Sequence, residues 1–274
     1  RADWMVGINC SRLFSCLYGR SLAVGRVMTP TLAMAVQREA AIAAFTPEKF
    51  YTVSLAFEGD GTASSKRFSQ KEDAETLLAN CRKEVSTVVQ KVERKEKNEK
   101  PPQLYDLTTL QRDANRLLGF TAQQTLNYAQ SLYEKKLLTY PRTDSNYLSD
   151  DMIPLVESIV KCLSGYDGER VQCLQKQGLV IDKRIIDNSK ILDHHAIIPT
   201  NLIGRLDDEK LDDNEQRIAK LVINRFLCAV DKPYIYSEAK YEFLVEDEIF
   251  KLTVKTTIEW GWKQYKPSEP AELD

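Results

Sequence analysis

The spacing of apolar positions changes several times along the chain, and each change marks an element. Over residues 1–45 apolar side chains recur at helical intervals. Trp4, Ile8, Leu13 and Leu17 suit one face, and Leu32, Met34 and Val36 repeat the habit after Pro30. Two helices are predicted there, the second with Thr29 as N-cap and Pro30 in its first turn. From Phe50 the period falls to two. Phe50–Phe57 reads as a strand running into a turn at Gly59-Asp60-Gly61, followed by a helix over 71–82 and a strand over 85–92. The charged run Glu93–Lys100, closed by Pro101-Pro102, reads as a solvated connector.

Helical spacing then returns. Thr108 with Gln111, and Thr121 with Gln124, stand at capping-box distance. Behind them Leu110, Ala114, Leu117 and Leu118, and after Gly119 Leu126, Ala129, Leu132 and Tyr133, form two apolar faces. Two helices across a short Gly-containing turn have the form of a helix-turn-helix, and a plain helical hairpin has the same pattern. A strand is predicted at Leu137–Tyr140. Ser149 is placed to cap a helix through Val156, Ile159 and Leu163. Residues 165–188 mix both periods. The acidic stretch Leu206–Glu215 feeds a helix with Ile218, Leu221, Val222 and Phe226 on one face. Beyond Pro233, residues 235–243 and 250–254 alternate as paired strands across a turn at Asp247-Glu248. They are expected to rejoin the sheet begun at Phe50, which makes the helical stretch between them an insertion.

Composition adds constraints. A chain of 274 residues exceeds one average domain, and 43% hydrophobic with 28% charged residues is ordinary for a folded soluble protein. No apolar run approaches the ~20 residues of a membrane span, and no signal-peptide pattern opens the chain. The six cysteines are scattered without a C-x-x-C pair, so free thiols in a reducing cytoplasm are expected. A formal net charge of −2 does not mark a nucleic-acid binder. Residues 1–38, however, carry Arg1, Arg12, Arg20, Arg26 and Arg38 against Asp3 alone, and a locally basic face suffices to bind DNA. The chain opens on Arg1 in helical sequence, as a fragment would.

Two stretches carry chemistry. In Thr139-Tyr140-Pro141-Arg142-Thr143-Asp144-Ser145, Pro141 fixes its own φ and pushes Tyr140 out of the helical region. Residues i and i+2 of an extended segment share a side, so Tyr140 and Arg142 are expected to face a common space. A phenol ionises near ~10 and needs a cation or base beside it to act as a nucleophile at neutral pH. Arginine supplies a permanent charge and a fork matched to phosphate oxygens. Alone, such a Y-x-R is a strand ending in a polar turn. The second stretch, Asp193-His194-His195-Ala196-Ile197-Ile198-Pro199-Thr200, holds both histidines of the chain. A metal would require further ligands at suitable spacing, and none stands nearby.

Taken together, these residues resemble the type IA DNA topoisomerases. Thr139–Ser145 resembles the family's active-site segment, in which the tyrosine attacks a DNA phosphodiester and the arginine two residues later assists. Proline between the two is what topoisomerase III-like members carry. Residues 194–200 match the family's His-x-Ala-Ile-x-Pro-[Ser/Thr] motif, whose first histidine lies near the scissile phosphate. Arg1–Asn9 and Gly25–Leu32 resemble the start of the helical domain lining the single-strand groove, with Met28 where glutamine is common. Gly261-Trp262-Lys263 resembles the continuation of the family's β domain.

The resemblance implies a multi-domain α+β fold of the toroidal type IA kind. Residues 1–45 would be a helical groove segment (part of domain IV), 46–103 and 232–274 a β-sheet arm (domain II). Residues 104–231 would be an inserted winged-helix-like (CAP-like) domain carrying the tyrosine (domain III). It implies ATP-independent cleavage and religation of single-stranded DNA through a 5′-phosphotyrosine, to relax or decatenate DNA. Tyr140, Arg142 and His194 would be catalytic. Arg1, Arg26, Gln111, Thr139, Thr143, Asp144, Ser145 and His195 would contact DNA. Mg²⁺ would bind an acidic D-x-D centre preceding Arg1, so no metal is expected within the chain, and the fragment alone is expected to be inactive. Single-stranded DNA is the implied partner, of a monomer with no membrane attachment. The alternative is a non-catalytic helix-turn-helix DNA-binding module, which would prefer duplex and discriminate bases in the major groove. An interaction scaffold free of nucleic acid is the third reading, favoured mildly by the negative net charge.

Overall fold

The computed structural model describes residues 2–57, 61–83, 87–205, 210–245 and 247–265. The chain divides into two compact units, one of Arg1–Val53 with Ser65–Val85 and one of Ser54–Ser64 with Ser86–Asp274.

The first unit holds α1 (Ala2–Tyr18), α2 (Met28–Ala43) and α3 (Lys71–Cys81). The link after α1 is tied back along it by two serines. Ser11 Oγ accepts from the Val24 amide at 2.8 Å and Ser15 Oγ from the Leu22 amide at 2.9 Å. Thr29, expected as an N-cap, instead lies inside the helix, which begins at Met28; its hydroxyl accepts from the Gly25 amide at 3.1 Å. The apolar stripes of α1 and α2 do not form a core. Neither helix buries a residue, and Trp4 is 71% exposed. A periodic stripe becomes a core only where a second element covers it, and none does so among the described residues. The strand expected over Phe50–Phe57 is shorter than its alternation suggested. Tyr51 makes an isolated bridge to Phe68, and the continuous strand starts at Ser54.

The second unit is built on an antiparallel sheet of β1 (Ser54–Phe57), β2 (Gly61–Ser64), β3 (Val88–Glu99), β4 (Tyr234–Val245) and β5 (Glu248–Glu259), ordered β1-β2-β5-β4-β3. The late strands thus rejoin the sheet that β1 begins, with Val245 of β4 opposite Glu248 of β5. β3 corrects one expectation. The charged run Glu93–Glu99 is strand, not connector, because its charges meet partners across the sheet: Lys97 Nζ lies 2.7 Å from the Glu238 carboxylate. On the other face Phe243 and Phe250 are buried, and Phe57 stacks on Phe243 with centroids 4.6 Å apart.

Between β3 and β4 the chain forms a helical body of α4 (Leu107–Leu118), α5 (Ala122–Glu134), α6 (Ile153–Cys162), α7 (Gly168–Gln177) and α8 (Asp213–Ala229). Leu110, Leu132, Ile159, Leu163, Ile223 and Phe226 sit in one continuous core. The capping box of α4 is Asp106 with Thr109 rather than Thr108 with Gln111: an N-cap needs extended backbone, and Asp106 has it. Gly119 ends α4 in the left-handed region at φ 74°, and Thr121 with Gln124 opens α5 by the expected box. Ser149 begins a short 3₁₀ turn without capping it through its side chain. The mixed stretch 165–188 contains α7, whose buried Arg170 donates to Asn224 Oδ1 at 3.4 Å and to Cys228 Sγ at 3.1 Å. Residues 206–209 of the acidic stretch lie outside the described residues. α8 itself opens on an Asp212–Glu215 capping box, and Glu215 also accepts from Ser131 of α5 and from Lys135, which caps that helix.

Both crossings into this body are clasped by one turn after β5. The Trp262 amide donates to the Lys232 carbonyl at 3.0 Å and its indole N–H to the Glu99 carbonyl at 3.1 Å. Gly261 makes this possible. Its φ is +45°, and a Cβ there would collide with the carbonyl oxygens of Lys232 and Pro233.

Candidate active site

The tyrosine segment is extended, but not as a strand in the sheet. Leu138 makes a single bridge to Pro199, and the rest is held by side chains. The Thr139 amide donates to the Ile198 carbonyl at 3.0 Å. The Thr139 hydroxyl accepts from the Ile198 amide at 2.9 Å and donates to the Ala196 carbonyl at 3.1 Å. Further on, Thr143 Oγ1 donates to the His194 carbonyl at 3.0 Å, and Ser145 Oγ to the Lys190 carbonyl at 3.1 Å. The threonine-rich sequence therefore fastens residues 139–145 along 190–198.

The alternation fixes what faces outward. Pro141, Thr143 and Ser145 are buried, Tyr140 is half-buried, and Arg142 and Asp144 are exposed. The fastening brings His194 to Tyr140, with ring centroids 4.5 Å apart at 54°. A third ring joins them. Tyr133, at the end of α5, meets Tyr140 edge-on at 5.4 Å and 72°. Its place in the apolar pattern of α5 assigned it to the core, yet it is 40% exposed. Only the short separation of Tyr133 from Tyr140, seven residues along the chain, could have suggested the contact. Arg142 makes no ion pair among the described residues, which leaves its guanidinium available to an anion.

The other candidates are placed as follows. His195 is half-buried, with Nδ1 2.8 Å from the Ala196 carbonyl oxygen. A carbonyl only accepts, so Nδ1 is the donor in this contact. Gln111 donates its amide to the Ala122 carbonyl at 3.0 Å and joins α4 to α5. Arg26 belongs to the first unit, exposed and paired with Asp3 at 3.2 Å. Arg1 lies outside the described residues. Tyr147 was not singled out by its sequence context. Its hydroxyl accepts from Lys190 Nζ and from Gln103 Nε2, each at 3.0 Å, and these donors, the lysine first, hold the phenol below its usual range. Among the described residues no three His, Cys, Asp or Glu side chains are grouped to hold a metal ion. No helix of the described residues is long and apolar enough to cross a membrane.

A family model described as DNA topoisomerase matches residues 1–274. The chain belongs to the type IA DNA topoisomerase family. DNA topoisomerase 3 of Bacillus subtilis (strain 168) is 37% identical over 270 residues, covering 96% of this chain and 37% of that protein. DNA topoisomerase 3 of Staphylococcus haemolyticus is 39% identical over 269 residues, 97% of this chain and 37% of that protein. Full-length topoisomerase I from Thermotoga maritima has a similar structure, with a TM-score of 0.72 at 28% identity, over 99% of this chain and 45% of that one. This topoisomerase chain thus spans a little over a third of the length of its topoisomerase 3 relatives.

Proposed function

We propose that this chain carries the nucleophile of a topoisomerase 3-type enzyme that cleaves and rejoins single-stranded DNA without ATP. The observation that supports it most is the juxtaposition of Tyr140 with His194, beside an exposed Arg142 two residues along an extended segment.

The Tyr140 oxygen attacks a backbone phosphorus, a new P–O bond forms to the phenol, and the bond to the 3′ oxygen breaks. The phenol proton passes to water, and the departing 3′ oxygen takes up a proton. The product is a 5′-phosphotyrosine and a free 3′-hydroxyl, and reversal of the same step reseals the strand. Arg142 offsets the charge that gathers on the phosphoryl oxygens, where a positioned donor commonly contributes about 10²-fold or more. His194, held by Thr143, hydrogen-bonds the same phosphate. We assign Thr139, Thr143 and Ser145 to positioning, since their hydroxyls are engaged with protein groups, and Asp144 and His195 to the rim of the site. Residues 104–231 would move as one body on the β3 and β4 crossings to open a gate, with residues 1–45 lining the strand's path. Mg²⁺ and the proton donor for the 3′ oxygen are assigned to regions that the longer relatives have and this chain does not span. The chain alone would then bind DNA without relaxing it.

The test is a denaturing gel on a 3′-labelled single strand, using this chain extended to the length of its relatives. Tyr140→Phe should abolish the covalent adduct and leave binding within about twofold. An adduct that survives Tyr140→Phe would remove Tyr140 as the nucleophile.

A further inference from the structure

The sheet carries a second set of groups suited to a nucleic acid. Pairing of β3, β4 and β5 puts Lys91, Lys95, Lys97, Lys240, Lys251 and Lys255 on one face, where they outnumber Glu93, Glu99, Glu238 and Glu242. Salt bridges join several of these charges, for example Lys91 with Glu93 at 2.7 Å and Lys251 with Glu242 at 3.9 Å. Exposed pairs of this kind are worth ~0–1 kcal/mol, so the lysines can turn to another anion at little cost.

At the end of the same face lies a row of aromatic rings. Tyr234 and Tyr236 stack with centroids 5.1 Å apart at 23°, and Trp260 continues the row 6.1 Å from Tyr234 at 37°. Two lysines approach the row: Lys263 Nζ lies 4.4 Å from the Tyr234 centroid, and Lys255 Nζ 5.5 Å from that of Tyr236. The Tyr234 hydroxyl is fixed by Thr257 at 3.1 Å. The row ends on an indole that is 58% exposed. Mixed charges such as these serve solubility, but an indole left open at the end of a row of rings does not. Cations flanking a row of rings that ends in an open face are what an unpaired strand engages, phosphates on the lysines and a base on the ring.

We propose that this face binds single-stranded nucleic acid, with a base stacked on Trp260 and backbone phosphates on Lys255 and its neighbours. It adds a contact surface to the DNA-acting function proposed above and takes from that reading only the choice of DNA over another polyanion. It does not depend on the chemistry of Tyr140.

The experiment is a titration of the 274-residue chain with oligothymidylate at two salt concentrations, followed by anisotropy of the labelled strand. Trp260→Ala should weaken binding about tenfold, since stacking of one base is commonly worth ~1–3 kcal/mol, and Trp260→Phe should retain most of the affinity. Lys255→Gln, an exposed and conservative change, should lower the log–log salt slope by about 0.7. The titration reads binding and not adduct formation, so a failure of the cleavage chemistry and a failure of this surface are read separately. Unaltered binding by both Trp260→Ala and Lys255→Gln, with circular dichroism showing intact folds, would overturn the proposal. So would displacement of the strand by duplex DNA or polyglutamate at equal charge.

Discussion

The phenol ring of Tyr140 lies 4.5 Å from the imidazole of His194, and what holds them together is a hydroxyl behind them: Thr143 donates to the carbonyl of His194 itself. The proposed nucleophile and the histidine proposed to bind its phosphate are thus set by one short fastening. His194→Ala should slow adduct formation about 10²-fold in the extended protein while oligonucleotide affinity changes little. A parallel fall in affinity would instead make His194 a binding residue.

Thr143→Val separates two roles for that threonine. The family resemblance makes it a DNA contact, but it is buried, and its oxygen accepts from the Ser145 amide at 3.1 Å while donating to His194. Removal of the hydroxyl strands a buried amide and a carbonyl, which commonly costs about 1–3 kcal/mol. The melting temperature should fall by several degrees, with strand binding nearly unchanged at low temperature. Unchanged stability with weakened binding would restore the contact role.

How much of this was legible in the sequence depends on how local the cause was. Gly119 and the Thr121–Gln124 box are settled by a few adjacent residues, and both stand as expected. So does the hairpin of β4 and β5, whose alternation spans enough residues to be unambiguous. The charged part of β3, Glu93–Glu99, was hidden because Lys and Glu look solvated until Glu238 is known to lie across from Lys95. α7 was hidden because its buried Arg170 breaks the apolar pattern, and its acceptors Asn224 and Cys228 lie more than fifty residues away. The site behaves the same way. Tyr140, Arg142 and His194 could be singled out as candidates from short motifs, but Tyr133 could not, because its contact depends on where α5 ends.

Gly261 should resist replacement. Its positive φ costs any other residue about 1–3 kcal/mol, and the new Cβ would meet the Lys232 and Pro233 carbonyls. Gly261→Ala should therefore loosen the Trp262 clasp. Limited proteolysis should then cut faster near Glu99–Pro102 and Lys232–Pro233, where the two crossings lie, while the core helices stay protected. An unchanged digestion pattern would show that the clasp does not hold the crossings.

The acid limb of stability should run partly through Glu215. Burial pushes this carboxyl up, but Lys135, then Ser131, then the Asp212 amide act against that and leave it below the usual carboxylate range. Because the folded value lies below the unfolded one, the stabilisation is fully present above the unfolded value and is lost as pH falls through the folded one. Glu215 joins two elements: it completes the capping box of α8 and accepts from Ser131 of α5 and from Lys135, which caps that helix. Its side chain is nearly buried, so the ion pair with Lys135 is only partly screened. Glu215→Gln keeps the shape and removes the charge, and it should cost about 1–3 kcal/mol at pH 7, the range for hydrogen bonds to a charged group. The gap between the two proteins in denaturant melts should stay constant down to about pH 5 and close below about pH 4.5, as the native carboxylate takes up its proton. A gap that persisted unchanged to pH 3 would mean that Glu215 acts through packing, and that its charge contributes nothing to joining α5 and α8.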